Sequence, residues 1–336
     1  MDLEKRIEAF HQLGQVIQTL PAEKLERWYS LAKSENGWFT PENVTLSLEG
    51  ICSFLNKEVL VEWASRYPLS QIKPKQIATI MAGNIPLVGF HDFLCVLISG
   101  HNLLMKVSSK DAQLFKLILE ELFSIEPGFM NNITLADGPM RGFDAVIATG
   151  SDNSARYFEY YFGKYPSIIR KNRTSCAVLT GNETAEDLQA LGKDVFSYFG
   201  LGCRNVSKLF VPAGYEFQTL LDNWSSFNKV IDHHKFNNNY DYQKAILLVN
   251  QQPHLDTGYL LLCESDKLVS PISVLYYETY TSEDDVINKI LENRSKLQCI
   301  VGNEAFCTVP FGKAQKPEVW DYADDIDTLS FLTNLP

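Results

Sequence analysis

The apolar residues of the first 75 positions recur every three or four residues, as on one face of a helix. In the first helix these residues are Leu3, Ile7, Phe10, Leu13, Val16, Ile17 and Leu20. Pro21 ends this helix, a second helix begins at Pro41, and a third is stopped by Pro68. The pattern predicts a helical region over residues 1–75, and we assign it no chemistry.

Short apolar runs alternate with helical segments from residue 76 onwards. Strands are predicted for the runs at 76–81, 103–107, 132–135, 143–151, 175–179, 206–211, 245–249, 260–263 and 298–302. Helices are predicted at 87–98, 111–123, 185–198, 217–224 and 283–291. Strands that alternate with helices form parallel sheets, because parallel neighbours need crossover connections. We therefore expect an α/β protein with a doubly wound parallel sheet and a second α/β domain.

The composition argues against several classes of function. A formal net charge of -11 is not the electrostatic footprint of a nucleic-acid-binding protein. The seven cysteines are scattered, odd in number and without a CxxC pair, which indicates a reducing compartment. The chain opens with too many charges for a secretory signal, and its most apolar run, 93–99, is far shorter than the ~20 residues of a membrane helix. We expect a soluble, cytoplasmic protein without stable membrane insertion.

Two polar stretches contain metal-ligating residue types without the spacing of a metal site. His233 and His234 are adjacent on one backbone, and adjacent residues rarely chelate one ion together. A surface loop is the better interpretation there, as it is for the three asparagines at 237–239. The acidic stretch 321–327 lacks the glycine and the distal glutamate of an EF-hand, which favours a solvated turn. We therefore expect no metal ion.

Cys203 is the first candidate for chemistry. It follows two glycines in Gly200-Leu201-Gly202-Cys203, between a predicted helix and a strand that begins at Val206. Glycines let the backbone turn where a β-carbon would clash, so the thiol can be presented at this junction. A thiolate is the strongest common side-chain nucleophile near neutral pH. Most free cysteines are small buried hydrophobes, so this stretch alone leaves a structural role open.

Polar residues also follow several predicted strands of the first sheet. Asn84, Lys106 and Ser151 each lie at or just past the end of a strand. Ligands of doubly wound sheets bind at the carboxyl ends of the strands, so these positions favour a nucleotide site. Gly150-Ser151 opens a helix whose free amides could hold a phosphate, although serine also starts many ordinary helices. Neither a GxGxxG fingerprint nor a P-loop is present.

Taken together, these motifs resemble the aldehyde dehydrogenase superfamily, and within it the fatty acyl-CoA reductases related to the bacterial luminescence reductase. The resemblance runs from about residue 77 to the C-terminus. The similar segments are 83–86, 100–106, 148–151, 200–203, 270–272, 310–317 and 320–324. The resemblance implies a nucleotide-binding domain over 76–174 and a catalytic α/β domain over 175–310. Residues 311–336 would form a tail that returns to the nucleotide-binding domain.

The resemblance also implies a nicotinamide cofactor and the residues that hold it. Lys106 would bind the adenosine ribose or its phosphate, and Gly150 and Ser151 would lie on the pyrophosphate side. NAD-preferring members have a glutamate three residues after the lysine, where this chain has Ser109 followed by Lys110. A hydroxyl and a nearby cation accept a 2′-phosphate better than a carboxylate does. NADPH is therefore the expected cofactor, with NADH as the alternative.

The same resemblance implies the reaction. Cys203 would be the nucleophile that takes an acyl group from acyl-CoA or an acyl carrier, and Asn84 would stabilise the oxyanion. Arg170 stands at the position of the general-base glutamate of acid-forming dehydrogenases, and a guanidinium stays protonated at neutral pH. Lys267 falls near the place of the glutamate that binds the nicotinamide ribose. The arginine favours NADPH-dependent reduction of a thioester to an aldehyde over hydrolysis, whereas the lysine bears on how the cofactor is held.

Two alternatives remain open from the sequence. One is a CoA-acylating aldehyde dehydrogenase with the opposite net flux, and the other is a subunit that transfers the acyl group without reducing it. A pure acyl carrier would not consume NADPH. The family tends to dimerise through added strands, and residues 328–332 could form one, which makes a homodimer an open option.

Overall fold

The computed structural model describes residues 1–336, which divide into two compact units. The first unit comprises residues 1–172 and 317–336, and the second comprises residues 173–316. The predicted segment 175–310 lies inside the second unit. Each unit is built around one sheet.

Helices form the beginning of the first unit. They are α1 (Leu3–Gln18), α2 (Ala22–Glu35), α3 (Pro41–Phe54) and α4 (Lys57–Ser65). Side-chain caps start three of them, because Asp2, Thr40 and Asn56 each accept a backbone N–H of the first turn. Trp28 and Trp63 are fully buried. The helical pattern predicted for this region is confirmed.

The sheet of the first unit is wholly parallel. Its strands are β1 (Gln76–Ile80), β2 (Asn102–Lys106), β3 (Ile133–Leu135), β4 (Ala145–Thr149) and β5 (Ser167–Arg170), in the order β3-β2-β1-β4-β5. Helices α5 (Phe90–Ser99), α6 (Ala112–Ile125) and α7 (Asp152–Phe162) follow β1, β2 and β4. Ile80 is in register with both Lys106 and Ala148, so these three strands end level with one another. The strand order reverses beside β1, where doubly wound sheets bind their ligands.

Alternation along the strands covers the two faces of this sheet differently. Ile77, Leu103 and Ile147 point into the large core that the N-terminal helices, α5 and α6 form. Ala78 and Val146 point to the opposite face, where the phenylalanines of α7 cover them.

The second unit contains a mixed sheet of six strands. They are β6 (Thr174–Val178), β7 (Val206–Pro212), β8 (Leu255–Asp256), β9 (Leu261–Glu264), β10 (Val274–Tyr280) and β11 (Leu297–Val301). The spatial order is β11-β6-β7-β10-β9-β8, and only the pairing of β8 with β9 is antiparallel. The helices are α8 (Ala185–Phe196), α9 (Gln218–Asn223), α10 (His234–Val249) and α11 (Glu283–Glu292). Two α/β units, one doubly wound, confirm the predicted fold class.

Helix α10 overturns three predictions. The asparagines at 237–239 lie within it and form no loop, the run 245–249 is its last turn and no strand, and His234 is its first residue. Phe236, Tyr240 and Leu247 are buried on one face. Five apolar residues in a row fit a buried strand and a helix end equally well, and packing of this face decided for the helix.

The segment 328–332, for which an added strand was an open option, is helical. It belongs to helix α12 (Thr328–Thr333), whose N-cap Asp327 accepts the N–H of Ser330 at 2.8 Å. Leu329 and Leu332 are buried, with the spacing of one helical face. Strands β5, β8 and β10 were not predicted.

Three features of the chain concern its thiols, its possible metal ligands and the apolar length of its helices. All seven cysteines are free thiols. No group of three or more His, Cys, Asp or Glu side chains is arranged to hold a metal ion. None of the helices combines the length and apolar character needed to cross a membrane.

Candidate active site

Cys203 is the one exposed thiol of the chain. Five of the other cysteines are buried and Cys307 is half-buried. Burial raises the pKa of Cys52, Cys263 and Cys307 to about 11, so these groups stay protonated near neutral pH. Accessibility alone therefore separates Cys203 from the others as a nucleophile.

A strained backbone precedes Cys203. Tyr198, Phe199 and Gly200 have φ angles of 52°, 55° and 77°, so three successive residues adopt the left-handed region. Only glycine enters this region without cost, and the two aromatic residues need support from their surroundings. Packing supplies part of that support, since the Phe199 ring lies 4.4 Å from the ring of His233 and Tyr198 is buried. The chain after α8 is thus turned sharply in front of the thiol.

Hydrogen bonds hold the turn that carries Cys203. The N–H of Gly202 donates to Asn205 Oδ1 at 2.8 Å, and the N–H of Asn205 donates to the Gly202 carbonyl at 3.1 Å. The Ser175 hydroxyl donates to the carbonyl of Cys203 at 3.0 Å. Cys203 therefore stands on a turn with a defined backbone while its side chain remains exposed.

Asn205 links this turn to the end of α8. Its side-chain nitrogen donates to the carbonyls of Ser197 at 2.8 Å and Asp194 at 3.0 Å, and the residue is 1% exposed. Sequence reasoning missed this role. The signal was an amide two residues after the cysteine, at a position where a strand begins.

Asp194 fastens the segment around residue 313 to the same helix. Its buried carboxylate accepts the N–H of Gly312 at 2.6 Å and of Ala314 at 3.0 Å. Arg204, next to Cys203, donates from Nε to the Ala314 carbonyl at 2.5 Å. Burial raises the pKa of Asp194 to about 6, although both N–H donors oppose the shift. The tail motif at 310–317 thus packs beside the nucleophile turn.

The polar residues predicted at the strand ends of the first unit lie at one edge of its sheet. Asn84, Lys106, Ser109 and Lys110 are all exposed. The loops after β1 and β2 touch, because a Cβ on Gly83 would lie 2.5 Å from Ser108 Oγ. The structure therefore brings Asn84 and the 109–110 pair together. Their predicted roles stay predictions.

A buried carboxyl group shapes the loop that contains Asn84. Asp111 Oδ2 accepts the N–H of Leu87 at 2.7 Å, and Leu87 has a φ of 53°. Asp111 is 1% exposed and its Oδ1 has no hydrogen-bond partner, so burial raises its pKa well above the ordinary range. Sequence reasoning read this residue only as a helix start.

Gly150 and Ser151 begin α7. Ser151 is its N-cap and accepts the N–H of Ser154 at 3.3 Å. A Cβ on Gly150 would lie 2.8 Å from Ser154 Cβ and 2.9 Å from Phe158 Cε2, so the close packing requires glycine. Ser151 therefore has a capping role in any case, and its predicted contact with a cofactor stays a prediction.

Arg170 forms a buried ion pair. Its Nη1 lies 2.6 Å from Asp92 Oδ2, its Nη2 donates to the Thr328 hydroxyl at 2.9 Å, and the residue is 3% exposed. Burial opposes the charge, but Asp92 outweighs it, so the pKa of Arg170 lies above its usual value. Arg170 thus joins β5, α5 and α12. Lys267, by contrast, lies exposed in a turn after β9.

A cavity of about 450 Å³ lies elsewhere in the second unit. Its lining includes Thr180, Glu183, Tyr280, Glu304 and Phe306, which follow or end β6, β10 and β11. Cys203 precedes β7, so the cavity and the thiol lie at opposite ends of parallel strands. The Glu183 carboxylate is already used, since it accepts the N–H and hydroxyl of Thr180. This cavity is not part of the candidate site.

No protein-family model and no curated protein matches this sequence. Solved structures do match. Aldehyde dehydrogenase 21 from Physcomitrella patens, in complex with the reaction product succinate, has a TM-score of 0.70 and 11% identity over 99% of this chain and 84% of its own. A putative methylmalonate-semialdehyde dehydrogenase from Sinorhizobium meliloti, complexed with NAD, has a TM-score of 0.63 and 12% identity over 90% and 72%.

A third match is an aldehyde dehydrogenase of Mycobacterium tuberculosis complexed with NAD+, with a TM-score of 0.63 and 13% identity over 86% of this chain and 71% of its own. At these identities the similarity is one of fold. This chain has the two-domain α/β fold of the aldehyde dehydrogenases.

Proposed function

We propose that this protein reduces an acyl-CoA thioester to an aldehyde with NADPH, through a thioester on Cys203. The observation that carries the proposal is the exposed Cys203 thiol on a turn held by Asn205 and Ser175. Such a thiol can be reached by an acyl group, and its orientation is set before the substrate arrives.

The first step is acyl transfer. The Cys203 thiolate attacks the thioester carbonyl, a carbon–sulfur bond forms, and the CoA thiolate leaves and takes up a proton. The negative charge that develops on the carbonyl oxygen needs N–H donors. The side-chain amide of Asn84 and the backbone N–H of Cys203 would supply them, and removing one such donor typically costs about 10²–10³ in rate.

The second step needs a hydride. A reduced nicotinamide cofactor, when bound, would provide that hydride for the carbonyl carbon of the acyl-enzyme, with oxidation of the cofactor balancing the reduction. The resulting thiohemiacetal loses the Cys203 thiolate and releases the aldehyde. Lys106, Ser109 and Lys110 fit the phosphorylated cofactor, because two exposed cations and a hydroxyl lie at the carboxyl edge of a parallel sheet. The structurally similar proteins from S. meliloti and M. tuberculosis are complexed with NAD, which supports a nicotinamide cofactor.

Arg170 supports reduction over hydrolysis. A base that activates water must accept a proton from it. A guanidinium cannot do so near neutral pH, because it is already protonated. Arg170 is also occupied by Asp92 and Thr328. Without a base at this position, the acyl-enzyme is left for hydride or for CoA.

The direct test is NADPH oxidation with saturated acyl-CoAs from acetyl to palmitoyl, comparing the unmodified protein with Cys203→Ala and with Cys307→Ala as the matched control. We expect turnover that depends on chain length, disappears in Cys203→Ala and persists in Cys307→Ala. Labelled acyl groups that load onto Cys203 without NADPH consumption would instead indicate an acyl-transfer subunit. Turnover seen only with aldehyde, CoA and NADP+ would indicate the oxidative direction. Neither loading nor turnover would overturn the proposal.

A further inference from the structure

A cavity of about 230 Å³ lies in the first unit, on the side away from the residues assigned to the cofactor. Its lining includes Arg6, Leu97, Gly100, His101, Phe129 and Asn132. His101 directly precedes β2 and Asn132 directly precedes β3. The cavity is therefore at the amino ends of these parallel strands, whereas Lys106 ends β2 at its carboxyl end.

Arg6 lines this cavity, and its side chain forms no ion pair. The residue is 7% exposed, and its Nε is buried with no hydrogen-bond partner. No hydrogen bond stabilises its charge. The one carboxylate that does stabilise it is that of Asp2, and the two groups form no ion pair. Burial disfavours the charged form more than Asp2 favours it, so the pKa of Arg6 lies below its usual value.

Arg170 shows what a paired buried arginine looks like in the same unit. It has a carboxylate at 2.6 Å and a hydroxyl acceptor at 2.9 Å. Taking an ion out of water without such partners is costly, and this is why buried charges in proteins are normally paired. Nε lacks a hydrogen-bond partner in both arginines, so the two differ in the carboxylate and hydroxyl that Arg170 has at its Nη atoms and Arg6 does not.

The absence of a side chain at Gly100 leaves space for the Arg6 guanidinium. A Cβ on Gly100 would lie 1.8 Å from Arg6 Nη1, and Gly100 has a φ of 92°, which glycine alone adopts readily. Gly100 caps the C-terminal end of α5, and the helix dipole there favours a cation by a modest amount. This position accounts for part of the stabilisation of the charge but provides no acceptor.

Two polar side chains beside Arg6 already have hydrogen-bond partners within the chain. His101 Nδ1 accepts the N–H of Lys75 at 3.0 Å and its Nε2 donates to the Leu332 carbonyl at 3.0 Å, so the ring is neutral. Asp2 Oδ1 accepts the N–H of Lys5 at 2.8 Å as the cap of α1. Neither residue neutralises Arg6, and Asp2 adds the only negative charge of the lining.

Apolar side chains form part of the remaining walls. Leu3, Leu69, Ile72, Leu97 and Phe129 line the cavity beside Arg6. Its volume of about 230 Å³ corresponds to about eight water molecules at ~30 Å³ each. This space exceeds what a bare inorganic anion needs, and the five side chains offer apolar surface beside the guanidinium.

We propose that this cavity binds a short-chain monocarboxylate, with its carboxylate on the Arg6 guanidinium and its aliphatic chain against Leu69, Leu97 and Phe129. The planar guanidinium presents two parallel N–H groups that match a carboxylate. The site is remote from Cys203 in sequence and belongs to a different unit, so the proposal does not depend on the reaction.

Calorimetric titration of the full chain with hexanoate tests the site, with hexan-1-ol and inorganic phosphate as probes of the tail and of the charge alone. We expect hexanoate to bind and both probes to bind at least tenfold more weakly. Arg6→Met should weaken hexanoate at least tenfold, since charge-assisted hydrogen bonds are among the stronger ones. Cys203→Ala should leave it unchanged, which separates this site from an acyl site at the thiol.

Asp2→Asn provides a variant that does not remove the buried cation. It keeps a side-chain oxygen for the cap of α1 and removes the negative charge beside Arg6, so hexanoate should bind severalfold more tightly. This readout remains informative if Arg6→Met fails to fold. Equal affinity for phosphate and hexanoate would overturn the carboxylate assignment, and binding that Asp2→Asn does not change, or no binding at all, would overturn the site.

Discussion

The N–H of Gly202 donates a 2.8 Å hydrogen bond to the side-chain oxygen of Asn205, across the turn that carries Cys203. The nitrogen of the same side chain donates to the carbonyl of Ser197, also at 2.8 Å. One buried amide thereby joins the residue before Cys203 to the chain that leaves α8. The position of the thiol depends on this side chain together with the Ser175 hydroxyl, which donates to the Cys203 carbonyl.

Replacing Asn205 by alanine should therefore disturb the nucleophile. It leaves the Gly202 N–H and the Ser197 carbonyl without their partner, which should lower the free energy of unfolding by about 1–3 kcal/mol. Alkylation of Cys203 by iodoacetamide and NADPH turnover should both change severalfold or more. Asn223→Ala removes an amide bonded only to the Thr219 carbonyl on an exposed helix and serves as the control. Identical alkylation rates in the two variants would contradict the positioning role.

Thiol labelling of the native protein should stop at one equivalent. Cys203 is exposed, whereas burial raises the pKa of Cys52, Cys263 and Cys307 to about 11. A thiol with such a pKa is almost wholly protonated at pH 7.5 and reacts slowly. Intact-mass measurement should show one added group, lost in Cys203→Ala and retained in Cys307→Ala. Labelling of Cys203→Ala at the rate of the unmodified protein would argue against this assignment.

Exchanging Ser109 for glutamate should shift cofactor preference from NADPH towards NADH. The exposed carboxylate would repel a 2′-phosphate but could accept hydrogen bonds from a ribose hydroxyl. We expect the ratio of kcat/KM for NADPH to that for NADH to fall by about 10-fold or more, with ΔΔG of about 1.4 kcal/mol per factor of ten. Ser109→Gln is the control of similar size without the charge. A ratio that both variants leave unchanged would remove residue 109 from the cofactor site.

Loss of Arg170 should destabilise the first unit strongly. Arg170→Met leaves Asp92 buried without its cation, and breaking a buried pair on one side costs about 3–5 kcal/mol. Lys171→Met breaks an exposed pair with Glu159 and should cost less than about 1 kcal/mol. Urea unfolding compares the two. Removing both partners in Arg170→Met with Asp92→Asn should recover part of the loss, and a double variant less stable than Arg170→Met would contradict this explanation.

Protonation of Asp194 should make stability depend on pH. Its folded pKa of about 6 lies above the ordinary value of 3.8, so the folded protein holds the proton more tightly than the unfolded chain does. The stabilisation is complete below pH 3.8 and is lost as pH rises through 6. The free energy of unfolding, relative to that of Asp194→Asn, should thus fall by about 2 kcal/mol between pH 4.5 and pH 7.5. If the difference in unfolding free energy between the two proteins is constant, or rises with pH, the pKa of Asp194 is not raised in the folded protein.

Local patterns predicted the strands and helices that carry the candidate residues. Alternating apolar runs located β1, β2, β4, β6 and β7, and the polar residues at their ends were recognised from that register. The same reasoning failed at 245–249, and it left a strand open at 328–332, where the chain is helical. Short apolar segments carry no period long enough to separate a strand from a helix, so the neighbours that cover Leu247 and Leu329 decided the outcome.

Asn205, Asp194 and Asp111 were beyond sequence reasoning for a different reason. Each acts through backbone groups that lie far along the chain or beyond a turn, such as the N–H groups of Gly312 and Ala314. A polar residue with such a role looks in the sequence like any helix residue or cap. Its partners become visible only when the turns between them are placed.

The sequence by itself determined the α/β class, the place of Cys203 before a strand, and the polar strand ends, because these depend on periodicity and on neighbouring residues. Tertiary structure alone decided that Cys203 is exposed while six other thiols are not, that Arg170 is paired, and that Arg6 is not. Burial and pairing depend on groups brought together from distant positions. They set the charge and reactivity of a side chain, and the order of residues does not show them.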